Sequence, residues 1–149
     1  MEIGYELKNI DNLRKPEMPD DLIVRWIKVT DDYFSMLEFA KDRNPKHETS
    51  VEEWEKWIEQ EKSAGCFYCA VFKSGKIVST ASVEKYSDDK WETASVRTLK
   101  EERGKGYAKM ICYFVTKYIL NNGRIATCHT REDNYAMQKV ICFLGFIQQ

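Results

Sequence analysis

The sequence predicts an α/β fold built on one mixed sheet, α+β in its layout, and three observations predict it. Three strand-like runs, Cys66 to Phe72, Ile77 to Tyr86 and Trp91 to Leu99, follow one another through short turns. The turn residues Lys73-Ser74-Gly75-Lys76 and Ser87-Asp88-Asp89-Lys90 make this an antiparallel meander. A helical stripe, Ala108, Ile111, Cys112, Val115, Tyr118 and Ile119, then leads to a further strand, Arg124 to His129. A strand–helix–strand unit places its two strands parallel, so the Arg124 strand runs parallel to the Trp91 strand.

The other elements follow in chain order. Met1 to Ile10 holds a short strand, and Asp11 to Asp21, with Pro16 and Pro19, reads as an arm along the surface. The division expected is therefore an N-terminal strand and arm over 1–21 and a single domain over 22–149. Leu22 to Val29 is rich in β-branched and aromatic residues and reads as a strand. Thr30 suits the N-cap of the next helix, with Asp31 and Asp32 favourable in its first turn and Tyr33, Phe34, Leu37 and Ala40 at helical spacing. Ser50 and Glu53 form a capping box for a second helix, which carries Val51, Trp54, Trp57, Ile58 and Glu61 on one face. Its tryptophans are expected in the core. Gly123 suits the position after the third helix. Met137, Val140, Ile141 and Leu144 mark a last helix ended by Gly145, and only Phe146 to Gln149 remain for a stub of strand. The order is β-α-α-β-β-β-α-β-α-β.

Composition narrows the function. Twenty-three basic residues against 24 acidic ones give a net charge of −1, so there is no global field for nucleic acid or an anionic membrane. No apolar run approaches the length that spans a bilayer, and no signal-peptide pattern opens the chain, so a cytoplasmic protein is expected. Five cysteines, an odd count, argue against a disulfide framework. Cys66-Phe67-Tyr68-Cys69 lies in a strand, where residues three apart face opposite sides, a poor geometry for one metal ion. No metal site is expected.

The stretch Arg103-Gly104-Lys105-Gly106-Tyr107-Ala108 ends a strand and opens a helix. The first N–H groups of a helix have no partner within it, and the helix dipole adds partial positive charge there. Gly104 and Gly106 let the backbone approach a ligand, and Lys100, Arg103, Lys105 and Lys109 add cations. The loop reads as a cradle for a diphosphate. Glu101 and Glu102 would need to point away from it.

At these residues the sequence resembles the GNAT superfamily of acetyl-CoA-dependent N-acetyltransferases. The run Val96 to Ala108 resembles the family's strand and loop, with its signature Gln/Arg-x-x-Gly-x-Gly/Ala. Asn134, eleven residues before Gly145-Phe146, resembles the family's Asn…Leu-Gly-Phe block. The likeness covers about residues 22–149. It implies that acetyl-CoA binds in an opening between two splayed parallel strands, here Trp91–Leu99 and Arg124–His129. The backbone of Val96, Arg97 and Thr98 would bond the pantetheine arm. Arg103 and the N–H groups of Gly104, Lys105, Gly106, Tyr107, Ala108 and Lys109 would hold the pyrophosphate, and Asn134 would bond the pantetheine or thioester region.

The implied reaction is direct attack of a primary amine of a small molecule or peptide on the thioester. It needs a base for the amine proton and is helped by a donor to the leaving thiolate. Many members place a tyrosine seven residues after the Asn as that donor. Here the position is Ile141, so the thiolate leaves unaided or Tyr135, Cys142 or water substitutes. Two residues are candidates for the base: His129, five residues before Asn134, and Glu92, on the first splayed strand. The missing tyrosine keeps a second reading open, an acyl-CoA-binding sensor or assembly module without turnover. Beyond Phe146 the family usually continues with further strands, so the sheet edge past Arg124–His129 is expected to be covered by the N-terminal arm or by a second subunit, a homodimer.

Overall fold

Alternation along the strands decides which side each helix covers. The computed structural model describes all residues 1–149. Seven strands, β1 (Glu2–Leu7), β2 (Leu22–Trp26), β3 (Cys66–Lys73), β4 (Lys76–Glu84), β5 (Lys90–Thr98), β6 (Ile125–Arg131) and β7 (Ile147–Gln148), form one sheet in the order β2-β3-β4-β5-β6-β1-β7. Four helices are present: α1 (Val29–Lys41), α2 (Val51–Ser63), α3 (Tyr107–Asn121) and α4 (Tyr135–Leu144). β2 to β5 are antiparallel neighbours, and β5 and β6 are parallel.

One face of the sheet presents Cys69, Val71, Ala81, Val83, Trp91, Ala126, Cys128, Tyr5 and Leu7, and α3 and α4 close over it with Ile111, Val115, Ile119, Ile141 and Leu144. The other face presents Ala70 and Phe72 to Val29, Met36 and Phe39 of α1 and Ile58 of α2. This second layer covers only the β2–β4 side, so the same face of β5 and β6 stays open. No helix is long and apolar enough to cross a membrane.

Two expectations are corrected, and of two coverings expected for the sheet edge one is found. Thr30 does not cap α1: the helix begins at Val29 after Lys28, and Thr30 Oγ1 donates to Glu55 Oε1 at 3.0 Å. The capping work falls to Asp32, whose buried carboxylate accepts the Lys28 N–H at 2.8 Å and two Arg25 guanidinium bonds at 2.8 and 2.7 Å. Trp57 is exposed rather than core, because Ile58 takes the buried position of α2 and Trp57 tilts over Tyr68 at the rim. The edge beyond β6 is covered from within the chain: β1 pairs antiparallel with β6 from Glu2↔Arg131 to Leu7↔Ala126, and β7 pairs with β1. That edge therefore supplies no argument for a second subunit.

The Ser50–Glu53 capping box forms in full. The five cysteines are free, Cys66 half-buried and Cys69 buried, on opposite faces of β3. Gly145 ends α4 at φ 106°, and a Cβ there would lie 2.2 Å from the Asn12 carbonyl oxygen. Glycine is required at this position both by the backbone and by the approach of the N-terminal segment.

Candidate active site

The site begins where β5 and β6 part. They are paired only through Lys90↔Ile125, Trp91↔Ala126 and Glu92↔Thr127. Beyond Glu92 the two strands diverge, so the second half of β5 shows a backbone edge without a neighbour. A bulge falls at the same place: the β4–β5 register shifts between Thr80 and Ser82, and Ser95 takes φ 54°. A left-handed serine stores roughly 1 kcal/mol of strain, and such outliers gather at functional sites. Nothing in the sequence marks Ser95, since serine has no left-handed preference.

The divergence opens a cleft of about 500 Å³. Val96, Arg97 and Thr98 of β5 line one wall, with Arg103, Gly104, Gly106, Tyr107, Ala108 and Lys109 at the start of α3. Asn134, Met137 and Val140 of the β6–α4 segment and of α4 line the other. α3 starts at Gly106 (φ 88°) with no side-chain cap, and the loop N–H groups from Gly104 onward find no protein acceptor. Free N–H groups at a helix start suit an anion.

The cations are arranged differently from the sequence reading. Lys105 turns to Glu102, Nζ to Oε2 at 2.9 Å, and is not part of the cleft wall. Glu102 does not point away: it lines the cleft, its charge offset by Lys105 and by Lys73 at 4.0 Å. Lys100 is exposed beside Asp42, whose carboxylate accepts its N–H. Arg43, from the loop after α1, joins the wall instead. Burial, then the charges of Arg43 and Arg103, hold the Arg97 guanidinium below its ordinary pKa, with Asp42 opposing. Guanidiniums that repel one another at a cleft mouth favour an anionic ligand. Arg43 escaped the sequence reading because it lies 54 positions before Arg97, in a loop with no motif.

The two candidate bases meet. Glu92 of β5 and His129 of β6 are 2.6 Å apart, Oε1 to Nδ1. A carboxylate only accepts, so Nδ1 carries the proton and donates, which leaves Nε2 as the basic nitrogen. Thr127 Oγ1 also donates to Glu92 Oε1 at 3.1 Å, and Tyr86 Oη lies 3.1 Å from Thr127 Oγ1. The imidazole is 44 % exposed and the carboxylate 19 %, so the pair is reachable from the open face. Gly4 of β1 lies directly opposite His129, and the ring occupies the space over it: a Cβ there would be 3.0 Å from Nε2. Neither Thr127 nor Gly4 was marked as a site residue in the sequence. Thr127 was findable, since it precedes His129 by two on a strand and so shares its face.

The remaining site residues take other roles. Asn134 lines the cleft and caps α4, its Oδ1 accepting the Met137 N–H at 3.1 Å. Ile141 is buried in the core. Tyr135 and Cys142 are exposed and form no part of the cleft wall.

The acetyltransferase (GNAT) family model matches residues 26–146. Solved structures with a similar fold include an acetyltransferase of the GNAT family from Colwellia psychrerythraea, at TM-score 0.70 and 21 % identity, covering 99 % of this chain and 52 % of that one. A GCN5-related N-acetyltransferase from Kribbella flavida matches at TM-score 0.64 and 18 % identity, over 97 % of this chain and 53 % of that one. Glucosamine-6-phosphate N-acetyltransferase from Arabidopsis thaliana matches at TM-score 0.62 and 19 % identity, over 80 % and 89 %. The chain spans about half the length of the first two. No curated protein matches it in sequence.

Proposed function

On the premise that the chain belongs to the GNAT acetyltransferase family, we propose that it moves the acetyl group of acetyl-CoA to a primary amine by direct attack. The observation that carries this reading is the Glu92–His129 pair at the point where β5 and β6 part. The pair stands on the open sheet face, next to the strand edge along which the thioester would lie.

The parts take the following roles. The free N–H groups from Gly104 to Lys109, with Arg103, Arg97 and Arg43 at the mouth, suit the phosphates of the cofactor. The unpaired edge at Val96, Arg97 and Thr98 suits the amide-bearing pantetheine arm, which can add to it like a strand. The acceptor enters from the open face. Its nitrogen attacks the thioester carbon, the C–S bond breaks, and the electron pair leaves on sulfur. His129 Nε2 takes the proton from the attacking nitrogen. Glu92 fixes the tautomer and stabilises the imidazolium that forms. No cleft side chain is assigned to protonate the thiolate, because Ile141 is in the core and Tyr135 and Cys142 face elsewhere.

Thiol release from acetyl-CoA over a panel of amines tests the proposal. Turnover by the native protein and a loss of about 10²–10⁴-fold in kcat for His129→Gln are expected. Tight acetyl-CoA binding without thiol release for any amine would instead favour a binding module.

A further inference from the structure

On the sheet face that carries the Glu92–His129 pair, three carboxylates, Glu92, Glu84 and Glu61, form a row from the open part of that face to the margin of α2. Glu84 of β4 is directly opposite Glu92, and Cys66 of β3 is directly opposite Glu84. Tyr68, two residues on from Cys66 and on the same face, donates its hydroxyl to Glu61 of α2 at 2.7 Å. Like charges directly opposite on neighbouring strands are unfavourable.

Glu92 has His129 beside it, but Glu84 and Glu61 have no cationic partner. The ion pairs of the molecule include no lysine or arginine bound to Glu61 or Glu84. Lys85, next in sequence to Glu84, points to the opposite face, where it lies over Phe67, Trp91 and Tyr118. Burial, then Glu92 and Glu61, push the Glu84 carboxyl above its ordinary pKa.

A second, independent observation lies in the same place. Ser82, paired between Tyr68 and Ala94 and two residues before Glu84, faces this row, is 0 % exposed, and its Oγ has no hydrogen-bond partner. A buried hydroxyl without a partner is rare in a protein interior. Two exposed aromatics stand at the ends of the row, Trp57 against Tyr68 and Tyr86 hydrogen-bonded to Thr127, and aromatic faces attract organic cations. The carboxylates do not converge as metal ligands would: no three acidic, histidine or cysteine side chains gather around one point. Neighbouring strands are about 5 Å apart, so the row from Glu92 toward Glu61 extends roughly 10 Å. An elongated cation fits this spacing better than a point charge.

We propose that the acceptor is an alkyl amine with a second cationic centre. One nitrogen sits at the Glu92–His129 pair, and the other lies along Glu84 and Glu61. This rests on the transferase reading and adds the class of its substrate.

The test uses three chains of equal length: 1-butylamine, 1,4-diaminobutane and 4-aminobutanoate. Calorimetry reads the binding of each to the native protein, and thiol release from acetyl-CoA reads turnover. The diamine is expected to bind, and to be used with kcat/KM at least about tenfold above the monoamine, with the amino acid the poorest. Glu84→Gln should raise KM for the diamine about tenfold and narrow the gap to butylamine, with a melting temperature no lower than that of the native protein. Equal binding and equal use of diamine and monoamine would overturn the inference and leave the transferase reading intact. Diamine binding without thiol release would uphold the cation site and remove the transferase reading. Failure of the diamine to bind would overturn the inference whatever the turnover.

Discussion

Replacing Gly4 by alanine separates stability from activity. The new Cβ would lie 3.0 Å from His129 Nε2 and 3.2 Å from Cδ2, closer than ordinary van der Waals contact, so the ring must give by a few tenths of an ångström. It is held on its other side by Glu92 at 2.6 Å, and its exposure lets it swing toward solvent at the expense of that bond. A hydrogen bond to a charged group contributes about 1.5–3 kcal/mol. Losing part of it costs about 1 kcal/mol of transition-state stabilisation, or roughly fivefold in kcat. The fold should not suffer. Gly4 does not have a positive φ, so alanine is compatible with β1 and should add about 0.4–1 kcal/mol through the unfolded state. Thiol-release kinetics and a thermal melt on the same preparation read both effects. An unchanged kcat in a folded protein would refute the placement of His129 as the base, and a fall in melting temperature would refute the account of β1.

Three other predictions concern stability. The Glu84 carboxyl has a raised pKa, so the folded state binds that proton more tightly than the unfolded state; its contribution is favourable in acid and is lost as pH rises through the folded value. Glu84→Gln should therefore stabilise at neutral pH, with the gain vanishing at low pH in melts across pH. Asp32 is the opposite case: burial alone would raise its pKa, but the bonds from Arg25 and Lys28 outweigh it and the pKa is lowered. Its contribution is present above the unfolded value and lost as pH falls through the folded one; Asp32→Asn should cost about 2 kcal/mol in urea unfolding at neutral pH and little in acid. Gly145→Ala should cost at least about 2 kcal/mol, since the positive φ and the Asn12 carbonyl contact both oppose a Cβ. Native-like stability would contradict the docking of the N-terminal segment on α4.

What the sequence disclosed and what it did not divide along physical lines. Meander, crossover helix and anion loop are local, written in turn residues, periodicity and glycines within a few positions of one another. The meeting of Glu92 and His129 depends on strand register, which sequence reading leaves open; each residue could be marked alone, but not as a partner. The Lys105 side chain does not add its charge to the cradle because its nearest acid, Glu102, captures it in a turn whose direction only the backbone decides. Gly4, Ser82 and Ser95 matter through what is opposite them, a contact on another strand or a bulge. The N-terminal strand likewise covers β6 through a pairing more than 100 residues distant in the chain.

Thermal unfolding with and without acetyl-CoA, with ATP as control, tests the cleft most directly. At about a hundred times its dissociation constant the ligand adds about 2.7 kcal/mol, a shift of several degrees. The account predicts that shift with acetyl-CoA and not with ATP, and its loss in Gly106→Asp, where an acid enters the helix start. No shift with acetyl-CoA, or an equal shift with ATP, would contradict it.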